Sequence, residues 1–417
     1  MRSWTRSFLI FSIFLDLLSG SHGDVFRVPP LDVTQKDLLQ LLELGDDIKF
    51  DVPALYVFGD STVDSGNNNF LPSISKANFP PFGIDFADGK PTGRFSNGRT
   101  EADFIAQVVG LPFPPPCLGL SKEEHKTLRT GVNYGSSACG ILPDTGKFFG
   151  TCLSFDNQID LFETTVKNLQ PSFDGPESMA NYLSKSLFFI SIGSADVSMG
   201  YDILDNITKQ KTPFPNFAQA ISQKFSSKIQ KLYDLGARKF LVNNIGMMGC
   251  SPVTLNSKIP MTAACDDEIN KHAQIHNKLL SDLLQKLQSE LSGSKFIIAD
   301  VYQVFSDIFA SPNSYGMTDT RDACCVAAEH GTRPCIRDLA PCNNRNEHVY
   351  FDPFHASESM TDTRDACCVA AEHGTRPWIR DMALCNNRNE HIYFDPFHAS
   401  ESTSFMLAKR CLKESSI

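Results

Sequence analysis

A serine becomes a nucleophile only when a base takes its proton, a third group orients that base, and donors receive the oxyanion. The stretch ALYVFGDSTVDSGNN (residues 54–68) sets Ser61 directly after an apolar run, with Gly59 available for a tight turn and turn-forming residues following. A loop serine alone is commonplace, so the weight falls on finding a base. The segment YFDPFHAS occurs twice, and in each copy a carboxylate precedes a histidine by three residues: Asp352/His355 and Asp395/His398. One turn of chain brings such side chains together, so the Asp can fix the imidazole tautomer while the His takes the serine proton. For either pair alone, a turn-capping Asp is the ordinary reading.

The two copies belong to a longer repeat. Residues 317–359 recur at 360–402 and differ at only four positions: Cys335/Trp378, Leu339/Met382, Pro341/Leu384 and Val349/Ile392. Solenoid arrays need three or more units and diverge more than this. A segmental duplication, or an error in assembling the sequence, accounts for it better. The Cys- and His-rich repeat also raises zinc binding, but its adjacent cysteines and wide spacings do not match paired Cys-x2-4-Cys ligands.

The elements that must position these groups can be read from apolar runs. ALYVFGD (54–60), SLFFISIG (186–193), KFLVNNIG (239–246) and KFIIADV (295–301) are near-continuously apolar, as strands covered on both faces are. Between them lie helical stripes. Phe217, Ile221, Phe225, Ile229 and Leu232 form one, closed by Gly236; Ile269, Ala273, Leu280, Leu284, Leu287 and Leu291 form another, closed by Gly293. Alternating strands and helices imply a parallel sheet in one α/β domain. Ligands of such sheets gather at the carboxyl ends of the strands, which is where Ser61 falls. The proline-rich segments 77–86 and 111–117 read as connecting loops over that edge.

The chain of 417 residues is ordinary in composition, 41% hydrophobic and 21% charged. A formal charge of −10, with no Lys/Arg-rich cluster, argues against a nucleic-acid partner. Residues 1–23 carry arginines at 2 and 6, an apolar core from Phe8 to Leu18 and small residues after it, the pattern of a secretory signal peptide. No other stretch is long and apolar enough to span a bilayer. Residues 24–50 read as a lead-in and 51–417 as the domain. Thirteen cysteines suit an oxidising compartment, and Asn206 in DNIT is a glycosylation acceptor, so a secreted, extracellular protein is expected.

With these residues in view, FGDSTVDSGNNN resembles the first block of the plant GDSL esterase/lipase family within the SGNH hydrolases. PTGRFSNGRTEADFIA (91–106), GVNYGSSACGIL (131–142), FFISIGSAD (188–196), GCSP (249–252) and YFDPFH resemble further family segments in the family's order. The resemblance implies a single-domain, flavodoxin-like SGNH fold with a five-stranded parallel sheet flanked by helices. It implies hydrolysis of carboxylic esters without metal or organic cofactor, the substrate being a lipid, an acetylated glycan or polysaccharide, or a phenolic ester. Carried over by position, Ser61 is the nucleophile, and either Asp352/His355 or Asp395/His398 supplies the pair. Ser61 N–H and the N–H of Gly140, or of Ala138 on an alternative alignment, receive the oxyanion. Family members follow the Asp-x-x-His loop with a C-terminal helix, and only the second copy runs into such a tail. The first copy, however, keeps the family-like Cys324, Cys325, Cys335 and Cys342, together with Pro341.

One block departs from the pattern. Where the family shows Gly-x-Asn-Asp, this chain has GSAD, with Ala195 at the position of the oxyanion-binding Asn. Loss of one such donor costs about 2.7–4 kcal/mol, roughly 10²–10³ in rate. Ser194 and Ser198 are the nearby hydroxyls that could replace it. Two functions follow: a secreted esterase of reduced rate, or a non-catalytic extracellular binding protein on a hydrolase fold.

Overall fold

The four apolar runs form strands β1 (Leu55–Gly59), β2 (Leu187–Ser191), β3 (Lys239–Asn243) and β4 (Lys295–Ala299), all parallel, in the spatial order β1-β2-β3-β4. The computed structural model describes residues 31–41, 50–256, 264–312, 350–352, 355–356 and 401–414. Side chains alternate across the sheet, so each register row serves one face. Val57 lies opposite Phe189, Phe189 opposite Leu241, and Leu241 opposite Ile297. That row packs against helices α1 (Gln35–Leu41), α2 (Glu101–Val108) and α8 (Glu401–Glu414), through Leu38, Phe104, Ile105, Phe405 and Ala408. The next row, Phe58, Ile190 and Val242, meets α3 (Phe155–Leu169), α5 (Phe214–Asp234) and α6 (Asp267–Glu290). α4 (Pro176–Lys185) leads into β2, and α7 (Val301–Ala310) follows β4.

The expected stripes are the buried faces of α5 and α6: Ile221, Phe225, Ile229 and Leu232 on one, Leu280, Leu284 and Leu287 on the other. Fully burying such a side chain stabilises by roughly 1.5–3 kcal/mol, which is why two continuous apolar faces suffice to fix both layers. The lead-in contributes too, since Leu38 and Leu39 of α1 are buried. The remainder of residues 1–30 and 42–49 falls outside the described residues, as do the Asp395/His398 pair and most of both repeat copies.

The sheet corrects one expectation. It has four strands among the described residues, not the five implied by resemblance. The free edge of β1 is occupied by residues 130–134: Leu55 and Val57 N–H donate to Thr130 and Val132 carbonyls, and Tyr134 N–H donates to Val57. This segment makes only isolated bridges, Val57 to Asn133 and Pro116 to Asn133. The reason is Gly131, at φ 107°, where a Cβ would sit 1.9 Å from the Leu55 carbonyl oxygen. Left-handed backbone at the point of closest approach prevents a regular ladder.

Candidate active site

All four strands deliver residues to one cavity of about 610 Å³ at the carboxyl edge of the sheet. Ser61 follows β1; Ser191 and Ile192 end β2; Asn243 and Asn244 end β3; Val301 follows β4. Phe79 and Phe82, from the loop 77–86, and Phe148 and Leu407 make most of the remaining wall apolar.

Ser61 is half-buried on this wall, and its hydroxyl makes no hydrogen bond to any described residue. The turn that presents it is fixed from behind. Gln158 of α3 clamps Gly59, accepting from its N–H (2.9 Å) and donating to its carbonyl (2.8 Å). Only glycine fits there, because a Cβ would lie 2.3 Å from the Ser191 carbonyl oxygen. Asp60, the residue before the serine, accepts from Thr62 N–H (3.0 Å), Thr62 Oγ1 (2.8 Å) and Ser194 Oγ (2.6 Å), as well as from Ala195 N–H. It therefore joins the first block to the GSAD segment. Burial pushes its pKa up, against the pull of those donors.

Two further buried carboxylates complete the frame. Asp64 accepts from Gly66 N–H and Asn67 N–H (both 2.7 Å) and from Ser137 N–H (3.1 Å), tying the Gly-Asn-Asn loop to residues 131–142. Asp196 accepts from Ile141 N–H (2.8 Å), Leu142 N–H (2.9 Å) and Thr145 Oγ1 (2.7 Å). Burial raises both to about 6, with the bonds from neighbouring donors opposing. Asn67 and Asn68 brace the same junction, donating to the carbonyls of Asn133 and Ser137. Asp60, Asp64, Asp196, Asn67 and Asn68 are thus a buried scaffold behind the wall on which Ser61 lies.

The second-block position divides in the structure. Ala138 lines the cavity in a left-handed conformation, φ 69°, and its N–H, like that of Ser61, has no partner among the described residues. Gly140 lies against Asp196, where a Cβ would meet the carboxylate at 2.4 Å, and does not line the cavity. Ala195 is buried on the cavity wall and brings only a methyl group. Neither serine beside it has a spare proton: Ser194 donates to Asp60, and Ser198 donates to the Ser194 carbonyl at 2.8 Å.

No histidine among the described residues lines the cavity. One Asp–His contact that the sequence did not single out is formed, His272 Nδ1 to Asp202 Oδ1 at 2.8 Å. Its imidazole is stacked on Phe214 (4.0 Å), set edge-on to Tyr201 and does not line the cavity, whereas Asp202 does. His276 is buried, and burial takes its pKa down to about 4, leaving it neutral. Asp352 and His355 stand opposite each other in a separate two-stranded hairpin, β5 (Tyr350–Asp352) with β6 (His355–Ala356). The second copy precedes α8, whose Ser404 and Leu407 line the cavity.

A wall serine at the sheet's carboxyl edge, with unengaged backbone N–H groups beside it, is one part of what nucleophilic catalysis needs. The sequence comparisons decide the lineage. The GDSL-like Lipase/Acylhydrolase family matches residues 55–410. The chain belongs to that family. It is accordingly a hydrolase of the SGNH superfamily. Among its relatives, GDSL esterase/lipase At1g71691 of Arabidopsis thaliana is 38% identical over 351 residues, covering 84% of this chain and 89% of the relative. GDSL esterase/lipase 7 of Arabidopsis thaliana is 39% identical over 330 residues, covering 77% and 90%.

Among the described residues two disulfides, Cys139–Cys152 and Cys250–Cys265, hold the segment 131–142 and the loop after β3. Cys117 is a buried free thiol. Asn206 is exposed at the start of the short helix Asn206–Lys211. Among the described residues no helix is long and apolar enough to cross a membrane, and no cluster of His, Cys, Asp and Glu could hold a metal ion.

Proposed function

We propose that this GDSL hydrolase is a secreted serine esterase of reduced rate that cleaves carboxylic esters with an apolar acyl chain. The observation that carries the reading is Ser61 on the wall of a largely apolar cavity, flanked by two unengaged N–H groups. In the proposed cycle Ser61 Oγ adds to the ester carbonyl while its proton passes to the histidine. The alcohol leaves with that proton, and the acyl-serine ester remains. Water then adds, giving its proton to the histidine; the carboxylic acid departs and Ser61 regains its proton. The oxyanion rests on Ser61 N–H and Ala138 N–H; the side-chain donor absent at Ala195 sets the reduced rate.

For the base we assign His398 with Asp395 rather than His355 with Asp352. His398 precedes Ser404 by six residues. At no more than about 3.6 Å per residue, that tether keeps His398 within roughly 22 Å of a residue on the cavity wall. His355 is 49 residues from the same point and has no such restraint. Export rests on the signal pattern of residues 1–23, the cysteine content and exposed Asn206. The binding-protein alternative keeps only Ala195 in its favour.

The test is hydrolysis of a medium-chain chromogenic ester by purified protein. Ser61→Ala should lower kcat by about 10³-fold or more; equal rates in both proteins would remove Ser61 from the mechanism.

A further inference from the structure

The cavity wall is largely apolar, and one of its polar corners holds two acceptors without donors. Glu101, in the first turn of α2, is 4% exposed, and Asn243, at the end of β3, is 6% exposed; both line the cavity. Asn243 Nδ2 donates to Glu101 Oε2 at 2.7 Å and to Ser191 Oγ at 3.2 Å, which engages both amide protons. Glu101 Oε1 and Asn243 Oδ1 are buried and have no hydrogen-bond partner.

Among the described residues no neighbouring group donates to either atom when Glu101 is ionised. Thr62 Oγ1 donates to Asp60, so the 3.0 Å contact between Thr62 and Ser191 takes the Ser191 proton toward Thr62. Apart from the Asn243 bond to Glu101 Oε2, donation therefore runs from Asn243 through Ser191 and Thr62 to Asp60, and none of it reaches Glu101 Oε1 or Asn243 Oδ1. A buried acceptor without a donor costs roughly 1–3 kcal/mol, more when charged, and native interiors seldom leave one without cause. Two such acceptors side by side, in the cavity that holds Ser61, call for a donor carried in by the ligand.

We propose that Glu101 and Asn243 form a specificity subsite that accepts a hydrogen bond from a hydroxyl group of the substrate, so that the preferred ester is a hydroxylated one. This rests on the esterase reading above and names its substrate class. An ester lacking the hydroxyl leaves the two acceptors unpaired, and sites built to bond a hydroxyl reject analogues without it far more strongly than they reject a missing methylene.

The experiment has a binding arm and a kinetic arm. In the first, Ser61→Ala protein is titrated calorimetrically with dodecanoate, a positional series of hydroxydodecanoates, and the matching keto and amino acids. At least one hydroxy isomer should bind about tenfold more tightly than dodecanoate and than its keto counterpart. Glu101→Gln places a donor where Oε1 stood, so the keto acid should gain relative to the hydroxy acid. Glu101→Met, which removes the acceptor, should level the series. Equal binding of hydroxy and plain acids would overturn the subsite, as would an amino acid that outbinds the hydroxy acid.

In the kinetic arm, kcat/KM of the unmodified protein is compared on p-nitrophenyl hydroxydodecanoates against the plain ester, and on 2-hydroxyethyl against ethyl dodecanoate. A gain of about tenfold in the first pair puts the hydroxyl on the acyl chain, and in the second pair on the alcohol. Ser61-dependent hydrolysis with no preference in either pair sinks the subsite and leaves the esterase reading standing. Selective binding without Ser61-dependent hydrolysis does the reverse.

Discussion

Three buried aspartates and one buried glutamate lie around the same cavity and are treated in opposite ways. Asp60, Asp64 and Asp196 each accept three or more hydrogen bonds from the protein. Glu101, buried to the same degree, accepts one on Oε2 and none on Oε1. Saturation marks a structural role, since a carboxylate ringed by backbone N–H groups fixes loops and has nothing left for a ligand. An open oxygen marks the reverse. Proximity to Ser61 alone does not separate the two, whereas counting donors does.

The largest effect tests what the saturated group is for. If Asp60, Asp64 and Asp196 exist to present Ser61 to a base, removing that base should stop the reaction while leaving the loops intact. His398→Ala should lower kcat by about 10⁴-fold or more, within the range seen for loss of a triad member elsewhere, with an unchanged urea midpoint. His355→Ala should leave kcat within about twofold. The reverse ranking would move the base to the first repeat copy and cancel the tether argument.

Next in size is the saturation itself. Asp64→Asn sets an amide N–H₂ against at least one of the three backbone N–H groups that the carboxylate now satisfies. Two orphaned donors should cost about 3–5 kcal/mol, seen as a lowered denaturant midpoint, with activity falling in step as residues 131–142 loosen. A loss below about 1 kcal/mol would mean that the junction is held by Asn67, Asn68 and the Cys139–Cys152 bridge instead.

The third effect lies where the scaffold runs short. Ser194 cannot serve the oxyanion because its proton goes to Asp60. Ala195→Asn should therefore raise kcat by about 10²-fold, the usual worth of one oxyanion donor, with KM little changed. No gain would show that the pocket stabilises the oxyanion by another route.

Much of this was legible in residues alone. The strands showed because burial on both faces makes a parallel strand a continuous apolar run, and α5 and α6 showed because each keeps one stripe. Ser61, the two Asp–His pairs and Ala195 stand out in the sequence as motif positions. The edge segment 130–134 was not, since it is held by backbone bonds to β1 and carries no apolar run of its own. Nor was Glu101, which reads as an ordinary acid in the first turn of a helix. Its partner Asn243 lies 142 residues away, and only the packing of α2 over the end of β3 makes the pair. Ala138 over Gly140 was a question of which backbone faces the cavity, and spacing does not carry that information.

The smallest effect sharpens the comparison through pH. Burial raises Glu101 to about 7, with the Asn243 amide opposing. A carboxyl group with a raised native pKa binds more protons folded than unfolded, between its ordinary value of 4.5 and about 7. Stability must then fall as pH rises through that window, because the unfolded state ionises first. Glu101→Gln removes this contribution, so the variant should gain on the parent between pH 4.5 and pH 8, by no more than about 3.4 kcal/mol at 1.36 kcal/mol per pKa unit. Asp64 is raised as well, to about 6, but Asp64→Asn should lose stability at every pH, since its donors are stranded whatever its charge. Urea midpoints across pH 4.5–8 separate the two. A Glu101→Gln curve parallel to the parent's would mean that a donor already pairs with Oε1 in solution, and the corner would then be as closed as the scaffold beside Ser61.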